Sequence, residues 1–258
     1  MNMDWRKDRP DIIQVRGLKA VYGDKTVLRD IDFAVRAGEV LAILGGSGSG
    51  KSTLLKHMIG LHQPAEGSIL IDGDDMALAD EPTRRRILGK IGVSYQSGAL
   101  FGSMTVLENL RLPMEEFTML PREAMDFIAC IKLALVGLAG TGHLLPAELS
   151  GGMRKRAAIA RAMALDPKIV FLDEPSAGLD PSTSAGLDQL ILKLRDSLGI
   201  TFVVVTHELP SIYTIADRVV MLSKESKSIV AQGAPRELRD ASDNELVRRF
   251  FRREAEPA

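Results

Sequence analysis

The stretch from Val40 to Ile59, VLAILGGSGSGKSTLLKHMI, constrains this chain more than any other. Val40 to Leu44 is an apolar run suited to a buried strand, Gly45 to Lys51 follows without a break, and Ser52 opens an amphipathic helix. Gly45, Gly50, Lys51 and Ser52 satisfy G-x-x-x-x-G-K-[ST], a pattern whose loop cradles phosphates with backbone N–H groups. Glycines let that backbone come close to an anion and take positive φ. The unpaired N–H groups and dipole of the following helix favour negative charge. The phosphate-binding set is Gly45, Gly46, Ser47, Gly48, Ser49, Gly50, Lys51, Ser52 and Thr53, with Lys51 reaching the β and γ phosphates and Ser52 holding Mg²⁺.

Upstream, residues 12–36 alternate apolar and polar side chains around Gly23-Asp24, which predicts an antiparallel hairpin. Tyr22 falls beside its turn, where periodicity leaves open whether the ring packs on the sheet or serves a site. Gly67 to Asp72 predicts a short strand closed by Asp72-Gly73, and Ile91 to Tyr95 another that ends at Gln96. Between residues 97 and 165 the pattern turns helical, over Val106 to Leu112, Pro121 to Leu138 and Gly151 to Leu165, and predicts an inserted lobe. Strand and helix then alternate through Lys168 to Leu172, Pro181 to Leu198 and Thr201 to Val205, with two more strands at Arg218 to Ser223 and Ser228 to Gln232. The prediction is an α/β domain over residues 12–240, with a mostly parallel sheet flanked by helices. Arg84 to Arg86 is expected to be a solvated face. In the tail, residues 241–258, the segment Arg248 to Arg253 interleaves phenylalanines with charge and is expected to be an exposed docking surface.

A chain of 258 residues can hold one large domain with such a lobe. Its 33 basic and 34 acidic residues leave a net charge of −1, so no overall electrostatic footprint for nucleic acid exists. MNMDWRKDRP has no apolar segment after it, so no signal peptide is expected. No run of about 20 apolar residues occurs, since Ile128 to Leu138 is too short and carries Lys132. A lone cysteine, Cys130, excludes an internal disulfide, fits a reducing compartment and is expected to be a small buried hydrophobe.

Phosphate chemistry also needs an acidic element. Ile169 to Glu174, IVFLDE, puts two carboxylates at a strand's C-terminal end, where open α/β sheets hold ligands. Asp173 is placed on Mg²⁺, and Glu174 is placed to orient and deprotonate an attacking water. Leu149 to Met153, LSGGM, opens another helix, and Ser150, Gly151 and Gly152 at its N-terminus suit a second γ-phosphate contact. One chain cannot easily use both ends on one nucleotide. With these motifs the sequence resembles the ATP-binding cassette family, and the resemblance implies a P-loop NTPase with a RecA-like core, an antiparallel β subdomain and an inserted helical subdomain. It also implies a head-to-tail dimer with ATP between one subunit's phosphate loop and the other's LSGGM. Tyr22 matches the aromatic that stacks on adenine, Gln96 the glutamine that senses Mg²⁺ and the γ-phosphate, Ala177 to Asp180 the loop crossing the dimer interface, and His207 the switch histidine. His57, His62 and His143 match nothing and are read as structural.

Met153 stands where most cassettes have glutamine, SGALFGSMTVLENL follows Gln96, and Gly46 stands where the phosphate loop of the subfamily these two features resemble commonly has proline, its N–H still available to an anion. Met153 and that segment are similar to the cassettes of Mla/MCE lipid-transport systems. This likeness implies an MlaE-kind permease, an MCE-domain lipid carrier, a STAS-domain protein, and a peripheral place on the cytoplasmic face of the inner membrane; Leu100 and Phe101 lie where cassettes receive the permease's coupling helix, or else pack in the core of the helical lobe. The alternatives are a cassette for another solute, since the motifs report ATP chemistry and not cargo, or a soluble cassette outside transport.

Overall fold

Alternating side chains build the first layer of the computed structural model, which describes residues 9–252. Strands β1 (Asp11–Tyr22) and β2 (Lys25–Arg36) pair antiparallel, with Ile13 opposite Val35, Val15 opposite Phe33 and Tyr22 opposite Lys25. Val15 and Leu18 are both buried although three residues apart, because the register shifts between them. The bulge there keeps the apolar face inward. β3 (Val40–Gly45) is buried along its whole length, and α1 (Lys51–Met58) follows the glycine loop. β4 (Glu66–Ile71) and β5 (Asp74–Asp75) return to the first layer, giving the antiparallel order β2-β1-β4-β5.

The arginine run lies on α2 (Glu81–Gly89) and is more than a solvated face. Arg86 pairs with Asp74 at 2.6 Å, Arg84 donates to the Gly60 carbonyl, and Arg85 meets Glu116 at 3.1 Å while lying 4.8 Å over the Phe117 ring. The three side chains tie α2 to three different neighbours. β6 (Ile91–Ser94) then leads into Gln96 and the helical lobe of α3 (Val106–Phe117), α4 (Arg122–Leu135) and α5 (Gly151–Ala162). A reciprocal capping box starts α3: Thr105 N–H donates to Glu108 Oε2 at 2.7 Å, and Glu108 N–H donates to Thr105 Oγ1 at 3.2 Å. Val106, Leu110, Met114, Met125, Ala129 and Leu133 fill the lobe at helical spacing. Cys130 is exposed on α4, not buried as predicted, because the inward stripe runs through Met125, Ala129 and Leu133, to one side of it. Gly92 of β6 lies against α5 backbone to backbone: a Cβ there would fall 2.0 Å from the Ala162 carbonyl oxygen.

The remaining elements complete the second sheet. They are β7 (Ile169–Asp173), α6 (Pro181–Leu198), β8 (Thr201–Val205), α7 (Leu209–Ile215), β9 (Arg218–Leu222) and β10 (Ile229–Gly233). The order is β10-β9-β3-β8-β7-β6, all parallel neighbours except the antiparallel edge strand β10. β8 lies between β3 and β7, so the loops after three adjacent strands open at one carboxyl edge.

Two short helices follow, α8 (Pro235–Ala241) and α9 (Glu245–Arg252). They correct the expectation of exposed terminal aromatics. Val247 and Phe251, one turn apart, are buried with Leu209, Ile212 and Leu238, and the Phe251 ring lies 6.0 Å from that of Tyr213. Phe250 packs partly buried against the same cluster. Arg253, the rest of the tail and residues 1–8 at the start lie outside the described residues. Among the described residues no helix is long and apolar enough to cross a membrane.

Candidate active site

The glycine loop is shaped by contacts that only glycine permits. Gly45 has φ 148°, and a Cβ there would lie 2.4 Å from Ser49 Oγ and 2.6 Å from the Leu222 carbonyl oxygen. Lys51 leaves the loop at the start of α1 and folds back, its Nζ donating to the Gly45 and Gly46 carbonyls at 2.8 and 2.9 Å. Burial lowers the Lys51 pKa, and the charges of Glu174 and Asp173 oppose the shift. The lysine and both acidic residues therefore share one electrostatic neighbourhood, as the sequence predicts.

Asp173 ends β7, and its carboxyl is pushed above the usual range by burial and then by Glu174, against Lys51, Lys155 and Lys56. Glu174 takes a left-handed backbone, φ 46°, with its N–H donating to the Val205 carbonyl at 2.8 Å. That bond joins β7 to the end of β8, and it brings Glu174 Oε1 to 2.7 Å from His207 Nδ1. A carboxylate only accepts, so Nδ1 carries the shared proton. The other oxygen, Oε2, is buried without a protein partner. Gln96 lines an open depression with Tyr95, Ser97, Asp173, Ala177 and Gly178. Ser52, Gln96 and Asp173 offer the hard oxygen donors that suit Mg²⁺, which takes one or two carboxylates and fills its remaining positions from phosphate and water. Among the described residues no group of three or more His, Cys, Asp or Glu side chains forms a metal cage.

Ser150 caps α5, its Oγ accepting from Met153 N–H at 3.2 Å. The hydroxyl keeps its own hydrogen to donate. A Cβ on Gly152 would lie 2.5 Å from Thr183 Cγ2, and one on Gly151 would lie 3.5 Å from Leu179 Cδ2. LSGGM and the segment around Asp180 thus form one continuous surface. Asp180 caps α6, accepting from Ser182 and Thr183 N–H groups at 3.0 Å. Met153 packs partly buried against the lobe core. Tyr22 is 43% exposed at the end of β1, so its ring does not lie flat under the sheet, and it meets His62 edge-on at 5.5 Å. His57 is structural, buried with Nδ1 2.7 Å from the Thr53 carbonyl oxygen. The Tyr22–His62 contact carried no sequence signal, since the two residues lie on different elements.

Residues 28–177 match the family described as ABC transporter. This chain belongs to that family. The cassette is 43% identical over 239 residues to the probable ribonucleotide transport ATP-binding protein mkl of Mycobacterium tuberculosis (strain H37Rv), across 93% of this chain and 66% of the relative. It therefore spans just under two thirds of that protein's length. It is 38% identical over 241 residues to the intermembrane phospholipid transport system ATP-binding protein MlaF of Escherichia coli (strain K12), across 93% of this chain and 88% of MlaF. Among solved structures, a dimeric ATP-binding cassette in a post-hydrolysis state bound to ADP and Pi superposes with TM-score 0.77 at 30% identity, covering 86% of this chain and 98% of that one. A nucleotide-free cassette from an ABC transporter gives TM-score 0.81 at 25% identity, covering 94% and 99%. The architecture is that of an ABC cassette: a P-loop RecA-like core, an antiparallel β layer and a helical lobe.

Proposed function

We propose that this cassette hydrolyses ATP to drive the movement of phospholipid or a related lipid between membranes. The contact of Glu174 Oε1 with His207 Nδ1 at 2.7 Å, at the same strand edge as Lys51, carries the catalytic reading. The 38% identity to MlaF supports the cargo. Loop N–H groups and Lys51 hold the phosphates, and Tyr22 stacks on adenine. His207 donates to Glu174 Oε1 and leaves Oε2 to take a proton from the attacking water. Phosphoryl transfer has a loose transition state, so positioning and charge stabilisation supply most of the catalysis. Ser52, Gln96 and Asp173 would hold Mg²⁺, which would supply charge neutralisation at the phosphates.

A second copy completes each site. Ser150 to Met153 and Asp180 of one subunit face the nucleotide held by the other's loop, and the Ser150 hydroxyl has a hydrogen to give. An MlaE-kind permease docks at Phe101, which is 55% exposed while Leu100 packs on the lobe core. An MCE-domain carrier and a STAS-domain protein complete the complex at the cytoplasmic face of the inner membrane. The balanced charge provides no overall electrostatic footprint for nucleic acid.

Glu174→Gln is expected to keep ATP affinity, lower turnover by about 10²-fold or more, and accumulate an ATP-bound dimer on gel filtration. Retained steady-state hydrolysis refutes the assigned base, and an ATP-bound monomer refutes the dimer. Lipid that co-purifies with the membrane complex supports the cargo; an associated periplasmic solute receptor overturns it. The name of the mycobacterial relative favours ribonucleotide as a second reading. Uptake of labelled ribonucleotide that disappears with Lys51→Ala decides for it.

A further inference from the structure

Helix α5 begins with the residues read as facing the partner's nucleotide. About one and a half turns further on, Lys155 points inward and is 9% exposed. Its Nζ donates to the Gln96 carbonyl at 2.6 Å and to the Glu174 carbonyl at 3.1 Å. The Glu174 carbonyl also accepts from Ala177 N–H at 3.2 Å, at the start of the loop that ends in Asp180. One ammonium therefore touches the backbone that carries the Mg²⁺-sensing glutamine and the backbone that carries the general base. Through a shared oxygen it also reaches the interface loop. Arg161, on the same helix, donates to the Ala99 carbonyl at 2.5 Å and holds the Gln96 loop at a second point.

Packing alone does not call for a cation here. Burying an ammonium is costly unless its donors are used, and an apolar side chain of similar length fills such a space without that cost. Burial pulls the Lys155 pKa down, against the nearby charges of Glu174 and Asp173. The retained charge is explained by the two carbonyls it orients.

We propose that Lys155 is a positioning residue that ties each subunit's LSGGM helix to its own Gln96 and Glu174, so that closure on the partner's nucleotide sets the geometry of this subunit's hydrolytic site. The inference rests on the head-to-tail dimer reading. A displacement of α5 driven by the γ-phosphate in one site passes through Lys155 to the base of the other. The two sites then fire together, and ATP hydrolysis is cooperative, with a Hill coefficient between 1 and 2, the number of sites.

The test uses the full chain in three forms: wild type, Lys155→Met, which keeps length and loses the donors, and Lys155→Arg, which keeps a cationic donor. Lys155→Met is expected to lower kcat by about 10- to 100-fold, leave the KM for ATP within about threefold, and bring the Hill coefficient to 1. Lys155→Arg is expected to recover part of the cooperativity. A purely structural lysine would lower the melting temperature of Lys155→Met and leave the Hill coefficient of the folded fraction unchanged, which overturns the proposal. So does a wild-type Hill coefficient of 1. Should the methionine variant not fold, Lys155→Gln carries the same readouts. Gel filtration of Glu174→Gln with ATP separates the two readings. No dimer there means that the dimer reading has failed and this one with it; a dimer there, with Lys155→Met still cooperative, sinks this inference alone.

Discussion

Asp188 is the residue whose charge state the fold disturbs most clearly. It sits 4% exposed on α6, and burial pushes its carboxyl up to about 6, with the Ser211 hydrogen bond pulling down and Glu208 pushing up. The folded chain therefore holds this proton more tightly than the unfolded chain. Below the ordinary value of 3.8 both states are protonated and the contribution is whole. Between there and about 6 the unfolded chain sheds its proton first, and above about 6 the folded state carries a buried carboxylate. Stability from this group falls with rising pH through that window, by up to about 3 kcal/mol. Asp188→Asn is accordingly expected to stabilise the chain by about 1–3 kcal/mol near neutral pH and by little at about pH 4, as read by denaturant melts at the two pH values. Asp188 was not legible in the sequence, and neither was Lys155 nor His62, because each owes its role to a partner on another element: Ser211, the Gln96 and Glu174 carbonyls, and Tyr22. Glu174 and His207 were legible because each comes one residue after a run of buried strand residues, so chain order alone puts them at one edge of the sheet.

Among the elements, the segment that presents Phe101 hangs on one side chain. Asn109 of α3 is fully buried; its Oδ1 accepts from Phe101 N–H at 2.7 Å, and its Nδ2 donates to the carbonyls of Phe101, Met104 and Thr105 at 2.9 to 3.1 Å. Asn109→Ala strands those groups, so a loss of about 2–3 kcal/mol is expected. Amide exchange over residues 97–105 should quicken while ATP affinity holds. Exchange that stays slow there would mean that packing around Leu100 holds the loop without Asn109. Helix α6 was readable from end to end because Asp180-Pro181 starts it and Gly199, at φ 69°, stops it. The helices α2, α7, α8 and α9 were not, being about two to two and a half turns long, too short for a period of 3.6 to declare itself. In α9 two adjacent phenylalanines look alike in sequence, yet only Phe251 is fully turned into the core.

On the scale of the whole molecule, the parallel sheet was the most legible part, because β3 and β8 are buried throughout and read as uninterrupted apolar runs. The closing helices were the least legible, and they are structural: Val247 and Phe251 share a cluster with Ala42 and Leu44 of β3, the strand that delivers the phosphate loop. Phe251→Ala is expected to cost about 3–4 kcal/mol, seen as a lowered melting temperature with ATPase activity retained below it. An unchanged melt would make α9 peripheral to the core. The contact of Gly92 with Ala162 has a mechanical consequence. With no side chain between strand and helix there is no slack at that point, so the two cannot glide past one another without breaking backbone packing. Gly92→Ala would drive a methyl group into the Ala162 carbonyl and wedge the helix off the strand.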